Sequence, residues 1–337
     1  MKSRLNLLLL FLALLILFMV NLYFGAVHIP ARTVTHLLLG GQAERASWGF
    51  ILWENRIPQA ITATLSGAGL AASGLLLQTV FRNPLAGPSI LGIDGGANLG
   101  VAVAMLLLGG TFMAGAFSLS GFVLVIVAAM AGAWTVMMLL IAFSHLLRSN
   151  TMLLITGVMI GYLTSSFTSL LNYGATEEGV RSLMVWGLGS FANVTVDRLP
   201  AFSLTMGVGI LGSLLLIKPL NALLLGENYA ANLGIHVRRT RTLLLCCTGL
   251  LTATSTAFCG PIAFVGLAVP HIARLLLGTS DHRTLLPATL LTGGCLALLC
   301  NWLSTLPSES LIPINVITPV MGAPVVIWVI LKNKVDN

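Results

Sequence analysis

Apolar runs long enough to cross a bilayer recur from Leu5 almost to the last residues, separated by short clusters of arginine, acid, glycine and proline. A helix needs about 20 mostly apolar residues to span the hydrocarbon core. Ten such segments fit, at 5–24, 57–80, 91–110, 116–143, 152–172, 199–218, 242–259, 261–277, 285–303 and 313–331. Glycine and proline interrupt the third and the eighth. The first run, Leu7 to Val20, follows Lys2 and Arg4 and could pass for a signal peptide. No A-x-A-like cleavage site follows it and many spans come later, so it reads as a retained first helix. The pattern predicts an all-α integral membrane protein of about ten transmembrane helices, a single domain over residues 1–337.

Composition agrees and adds an orientation. Of 337 residues, 57% are hydrophobic and 8% charged, against roughly 25% charged in a soluble domain. An even span count puts both termini on one side. With the termini in the cytoplasm, inner segments hold Lys2, Arg4, Arg82, Arg148, Lys218, Arg238, Arg239, Arg241, Arg274, Arg283, Lys332 and Lys334. Outer segments then hold only Arg32, Arg45, Arg56, Arg181 and Arg198. Basic residues near span ends favour the cytoplasm, so the expected location is the cell inner (plasma) membrane, with both termini inside. Among the acids, Glu44, Glu54, Glu177, Glu178, Asp197 and Glu309 lean outward, against Glu227, Asp281 and Asp336. The net charge of +7 then marks a face beside anionic lipid and not a nucleic-acid surface.

Little enzymatic chemistry is available. The chain has only four lysines, and its sole Lys-Ser pair, Lys2-Ser3, has one residue before it. A phosphate-cradling loop with glycines ahead of Lys-Ser or Lys-Thr therefore cannot form. The five cysteines lie in apolar stretches without metal-site spacing, and the six histidines fall mostly near span ends, so no metal or cofactor is expected. Asp94, in LGIDGGANLG, is the one acid near a span interior; helix-start capping and a proton relay both remain open for it. In the second span, Gly67, Ala71 and Gly74 form a small-residue face, suited to close helix packing or to lining a pathway.

Three segments place polar and turn residues where a simple membrane helix would not: RIPQ (Arg56–Gln59), FRNPLAGPSILGIDGGA (Phe81–Ala97), and the run Leu225–Arg283 with LGENYAANLGIHVRR, GPIAFVGLAVPHIAR and GTSDHR. Together these resemble the permease subunits of the FecCD-type ABC importers of ferric siderophores, haem and vitamin B12. That family shows an RLPR-like opening, an NPLA-P-LG segment with a following small-residue GA, a GE-x-A-x-x-LG loop and a G-I-F-G-P-H-x-R stretch, in this order. The resemblance covers about the whole chain. It implies a type II ABC importer permease, a homodimer in the lipid bilayer with two copies of a cytoplasmic ATPase beneath and a substrate-binding protein outside. An iron chelate is the expected cargo, with haem or cobalamin as alternatives within the family. An ion-coupled secondary carrier is the rival of another class.

The resemblance also implies roles. Gly226, Glu227, Ala230, Leu233 and Gly234, within the loop to Arg239, would form short coupling helices on the ATPase; His271 and Arg274 would pack against that loop. Asn83, Pro84 and Leu85 would form an inner gate, with Asn150 and Thr151 at a second constriction. Arg56 would pair with a carboxylate of the docked binding protein. Gln59 departs from the family pattern, where arginine is common, and the outer segment 304–315 lacks arginine, which weakens the case for docking by several salt bridges.

Overall fold

The computed structural model describes residues 2–42, 45–107, 119–147, 149–306 and 312–335. Glu44, Arg148, Glu309 and Asp336, together with the facing ends of the third and fourth expected spans, lie outside the described residues. The chain begins with α1 (Lys2–Tyr23) and α2 (Ala31–Leu38); α3 (Ala46–Phe50) continues through a wider π-helical turn, Ile51–Arg56, into α4 (Ile57–Phe81). Then come α5 (Ile93–Ala102), α6 (Leu119–Leu146), α7 (Asn150–Tyr173), α8 (Glu177–Gly187) and α9 (Leu199–Leu215). α10 (Ile217–Leu224), α11 (Glu227–Asn232), α12 (Val237–Cys259), α13 (Val265–Leu277), α14 (His282–Ser304) and α15 (Ile314–Val335) complete it.

Among the described residues six helices are long and apolar enough to cross a membrane, α9 and α10 together form a further apolar pair bent by 50°, and apolar helical stretches also cover Ile93–Leu107, Val265–Leu277 and Ile314–Trp328. Together these match the ten expected spans. The bend has a local cause: Pro219 in the first turn of α10 has no N–H to continue the ladder of α9. The short helices α5 and α13 follow irregular backbone, 82–92 and 260–264. Such backbone is tolerated at membrane depth only where protein surrounds it, and Ala86, Leu91 and Ile262 are buried there. α2, the turn Ile51–Arg56, α8 and α10 carry too mixed a pattern to be read as spans, and none is long enough to be one.

α4 is the centre of the bundle, buried without interruption from Ser66 to Phe81. It packs against α14, α12, α13 and α9. Lipid gives apolar side chains no reason to leave it, so helices associate where small residues let backbones approach. A Cβ on Gly67 would lie 2.2 Å from the Gly293 carbonyl oxygen on α14, and one on Gly74 1.6 Å from that of Gly266 on α13. A Cβ on Gly293 would reach 2.6 Å from the Ala71 Cβ. The face Gly67–Ala71–Gly74 therefore seats two helices. Hydroxyls close the third side: Ser73 Oγ lies 3.1 Å from Thr252 Oγ1 and donates to the Thr248 carbonyl on α12 at 3.2 Å.

Gly67→Ala and Gly74→Ala are expected to lower the thermal unfolding midpoint of the purified chain in detergent, since the facing atoms are backbone; overpacking costs about 1–3 kcal/mol or more. Gly207→Ala, with nothing within 4 Å of the added carbon, is expected to leave the midpoint unchanged.

Candidate functional site

The basic end of the bundle gathers most of the predicted site. α4 ends in a Schellman arrangement: the N–H of Arg82 reaches the Thr79 carbonyl (3.4 Å) and that of Asn83 reaches Gln78 (3.2 Å). The left-handed position is occupied by Arg82, φ +46°, where glycine is usual. Asn83 Oδ1 then accepts the Leu85 N–H at 2.9 Å, an Asx turn that holds the segment without helix. Leu85 is 41% exposed. The Pro84 carbonyl lies 2.9 Å from His271 Nε2; a carbonyl only accepts, so that nitrogen carries the proton. Arg274 Nη1 donates to Gln78 Oε1 at 2.7 Å, and Gln78 Nε2 donates to the Leu267 carbonyl at 3.2 Å. The hydrogen bonds of His271 and Arg274 thus go to the turn after α4 and to the end of α4.

That loop is a built knob. Gly226 (φ +121°) precedes α11. The N–H of Gly234 (φ +81°) reaches Ala231, and that of Ile235 reaches Ala230, closing the short helix with a second Schellman arrangement. Ala230 is fully buried beneath it, whereas Tyr229 and Leu233 are exposed. Glu227 Oε1 lies 2.5 Å from Arg241 Nη2 on α12. Asn150, at the start of α7, donates to Glu227 Oε1 (3.2 Å) and accepts from Arg241 (2.9 Å). Asn150, read from sequence with Thr151 as a second constriction, thus braces the knob, and Thr151 is exposed beside it.

α10 connects the knob to α4. Arg82 Nη2 donates to the Leu223 carbonyl at 3.1 Å. Asn221 Nδ2 donates to Asp281 Oδ1 (2.6 Å), and its Oδ1 accepts from the backbone N–H (2.8 Å) and Nδ1 (2.9 Å) of His282. His282 Nε2 lies 2.9 Å from Thr79 Oγ1. Asp281 also caps α14 by accepting the Arg283 N–H at 3.0 Å; this bond and that from Asn221 hold its carboxyl below the usual range.

At the opposite end, Arg56 is not on the surface. It is 6% exposed, and its guanidinium donates to the carbonyls of Leu22 (2.8 Å), Tyr23 (3.1 Å) and Val27. These are carbonyls at and just past the end of α1, which a cation is well placed to satisfy. The outer-surface placement expected for Arg56 is therefore corrected: these donors are engaged inside the chain. Gln59 also turns inward, donating to Asn301 Oδ1 (3.0 Å), whose Nδ2 donates to Asn21 Oδ1 (2.8 Å). That row ties α4, α14 and α1 together.

Asp94 lies in the first turn of α5, behind an N-cap at Gly92, so it is not the cap. Its oxygens accept from Ser89 (2.6 Å) and from Thr256 on α12 (2.8 Å). Among the described residues no group of three or more His, Cys, Asp or Glu could hold a metal.

A turn closing α4, a capped knob and its brace thus lie together at the basic end of the bundle. The model of the FecCD transport family matches residues 13–332. The chain belongs to the FecCD transport family, a family of ABC transporter permease subunits. Its relatives include the vitamin B12 import system permease protein BtuC of Citrobacter koseri, 37% identical over 284 residues, covering 84% of this chain and 83% of the relative. The corresponding protein of Klebsiella pneumoniae is 36% identical over 295 residues, covering 87% and 86%. A solved structure described as an inward-facing conformation of a putative metal-chelate type ABC transporter superposes with a TM-score of 0.83 at 30% identity, covering 97% of this chain and 98% of that one.

Within this FecCD subunit, sequence reading missed Arg241, Asn221, Gln78, Asp281 and His282. Two signals pointed to some of them: an Asp directly before an apolar run is an N-cap signature, and GTSDHR stood out as a motif without a role. Gln78 and Asn221 are single polar residues within apolar helices, and nothing local marks their partners.

Arg56→Gln is expected to destabilise the isolated chain by roughly 1.5–3 kcal/mol, the range for hydrogen bonds to a charged group. Thermal unfolding in detergent checks this, and the loss should appear equally with no partner protein present.

Proposed function

We propose that this chain is the permease subunit of an ABC importer, working as a homodimer in the inner membrane with its termini in the cytoplasm. A separate ATPase, in two copies, docks on α11, and a substrate-binding protein delivers cargo at the opposite end. The observation that carries this reading is the knob itself. A helix of six residues is fixed at both ends by glycines with positive φ, anchored by buried Ala230, braced by Glu227, Arg241 and Asn150, and presents Tyr229 and Leu233 outward. Such a fixture passes a push on as rigid-body motion, where a solvated loop would absorb it. Asn83, Pro84 and Leu85, held by the Asx turn and by His271, form the gate in this proposal, and Asn150 and Thr151 stand at a second constriction.

For cargo, the relatives named as vitamin B12 permeases favour cobalamin, itself a metal chelate, as the first candidate. A ferric chelate is the second reading, supported by the metal-chelate description of the structural neighbour. An ion-coupled carrier has less support, because the oxygens of Asp94 already accept from Ser89 and Thr256.

The deciding experiment reconstitutes the chain with its ATPase and binding protein in proteoliposomes and measures uptake of labelled cyanocobalamin, ferric siderophore and haem. ATP-dependent cyanocobalamin uptake is expected. ATP-dependent uptake of a ferric siderophore alone would replace the cargo assignment, and uptake driven by an ion gradient without the ATPase would overturn the permease reading.

Gly234→Val adds a β-branched side chain where φ is +81° and surrounding space is open, so its effect comes from the backbone, at about 1–2 kcal/mol. It is expected to unwind the end of α11 and lower substrate moved per ATP hydrolysed, measured in the same proteoliposomes.

A further inference from the structure

The motif GTSDHR has no task in the function proposed above, yet its Asp281 and His282 sit at the junction of three helices. His282 is 1% exposed and Thr79 4%. Asn221 Oδ1 can only accept, so Nδ1 of His282 carries a proton, and in the neutral ring Nε2 is an acceptor facing the Thr79 hydroxyl, whose one hydrogen it shares with the Leu75 carbonyl at 2.9 Å. The row Thr79–His282–Asn221–Asp281 therefore runs from α4 through the start of α14 to α10 and back to the cap of α14.

Position gives this row its consequence. α10 departs from α9 at 50° and leads through Leu225 and Gly226 directly into the knob. Its inner face, Leu220, Ala222 and Leu223, is buried, so it rests against the bundle and does not hang free. A second bond, from Arg82 to the Leu223 carbonyl, runs parallel to the row. Thr79 lies four residues before Asn83, about 6 Å along the helix. A displacement of the knob is thus delivered to the last turn of α4, one turn ahead of Asn83–Leu85.

We propose that Thr79, His282, Asn221 and Asp281 form a latch that transmits movement of α10 and α11 to the turn at Asn83–Leu85. These are positioning residues, and their role rests on the permease reading above. Breaking the latch leaves ATP hydrolysis intact and disconnects it from the turn.

The test places Leu85→Cys in the chain, assembles it with the partner ATPase in lipid nanodiscs, and follows labelling by a membrane-impermeant maleimide with and without ATP and vanadate. Labelling of the chain without the added cysteine is subtracted. With the latch intact, nucleotide is expected to change the labelling rate about fivefold or more, as for coupled sites generally. Thr79→Val and Asn221→Ala should each abolish that change while hydrolysis continues, and Thr79→Ser, which restores the hydroxyl, should recover it. A merely structural role would lower stability or assembly without this selective loss and recovery. Should Thr79→Val fail to assemble, Asn221→Ala decides, since Asn221 is only partly buried. A full nucleotide response in the assembled variants overturns the latch. Absence of any nucleotide response, or of bound ATPase, in the chain with the latch intact overturns the permease reading, and the latch with it.

Discussion

In a bilayer the side chains of a helix gain nothing by exchanging lipid for one another, so association depends on how closely backbones can approach. In this chain that dependence concentrates on α4. Gly67 and Gly74 bring its backbone against Gly293 and Gly266, and Ser73 brings hydroxyl bonds to α12. Once α4 is enclosed on these sides, the short helices α5 and α13 can begin at membrane depth, because the irregular backbone ahead of them is surrounded by protein. The broken spans are thus a consequence of the close-packed centre.

The same economy governs the polar groups. Side chains that look available in a linear reading are mostly committed to carbonyls left open by helix ends. Arg56 serves the end of α1, His271 serves Pro84, and Arg82 serves Leu223. Two ends of different character result. The end carrying Arg56, Gln59, Asn301 and Asn21 is an inward-facing tie, whereas the basic end combines ties with exposed apolar residues on α11.

Much of the architecture was legible in the sequence because apolar runs of spanning length survive any tertiary context. The small-residue face of α4 and the patterned segment 226–234 were legible too, since glycine spacing records close approach and positive φ directly. What could not be read were partnerships between distant positions. Nothing near Asn150 indicates that its amide meets Glu227 and Arg241, 77 and 91 residues away. Arg56 was misjudged because a cation beside an outer loop looks solvent-facing, when the carbonyls of α1, more than 30 residues earlier, attract it inward. Short amphipathic helices such as α8 and α10 escaped for a simpler reason: a search for spans does not register them.

Arg82 carries a consequence of a different kind. A left-handed residue ending a helix is most cheaply a glycine, and a substitution there would relieve the backbone. It would also remove the guanidinium that reaches Leu223, for which Gly226 leaves room: a Cβ on that glycine would come within 3.1 Å of the Arg82 terminal nitrogen. The strained residue marks a position where relief of the backbone and the join between α4 and α10 make opposite demands on one side chain.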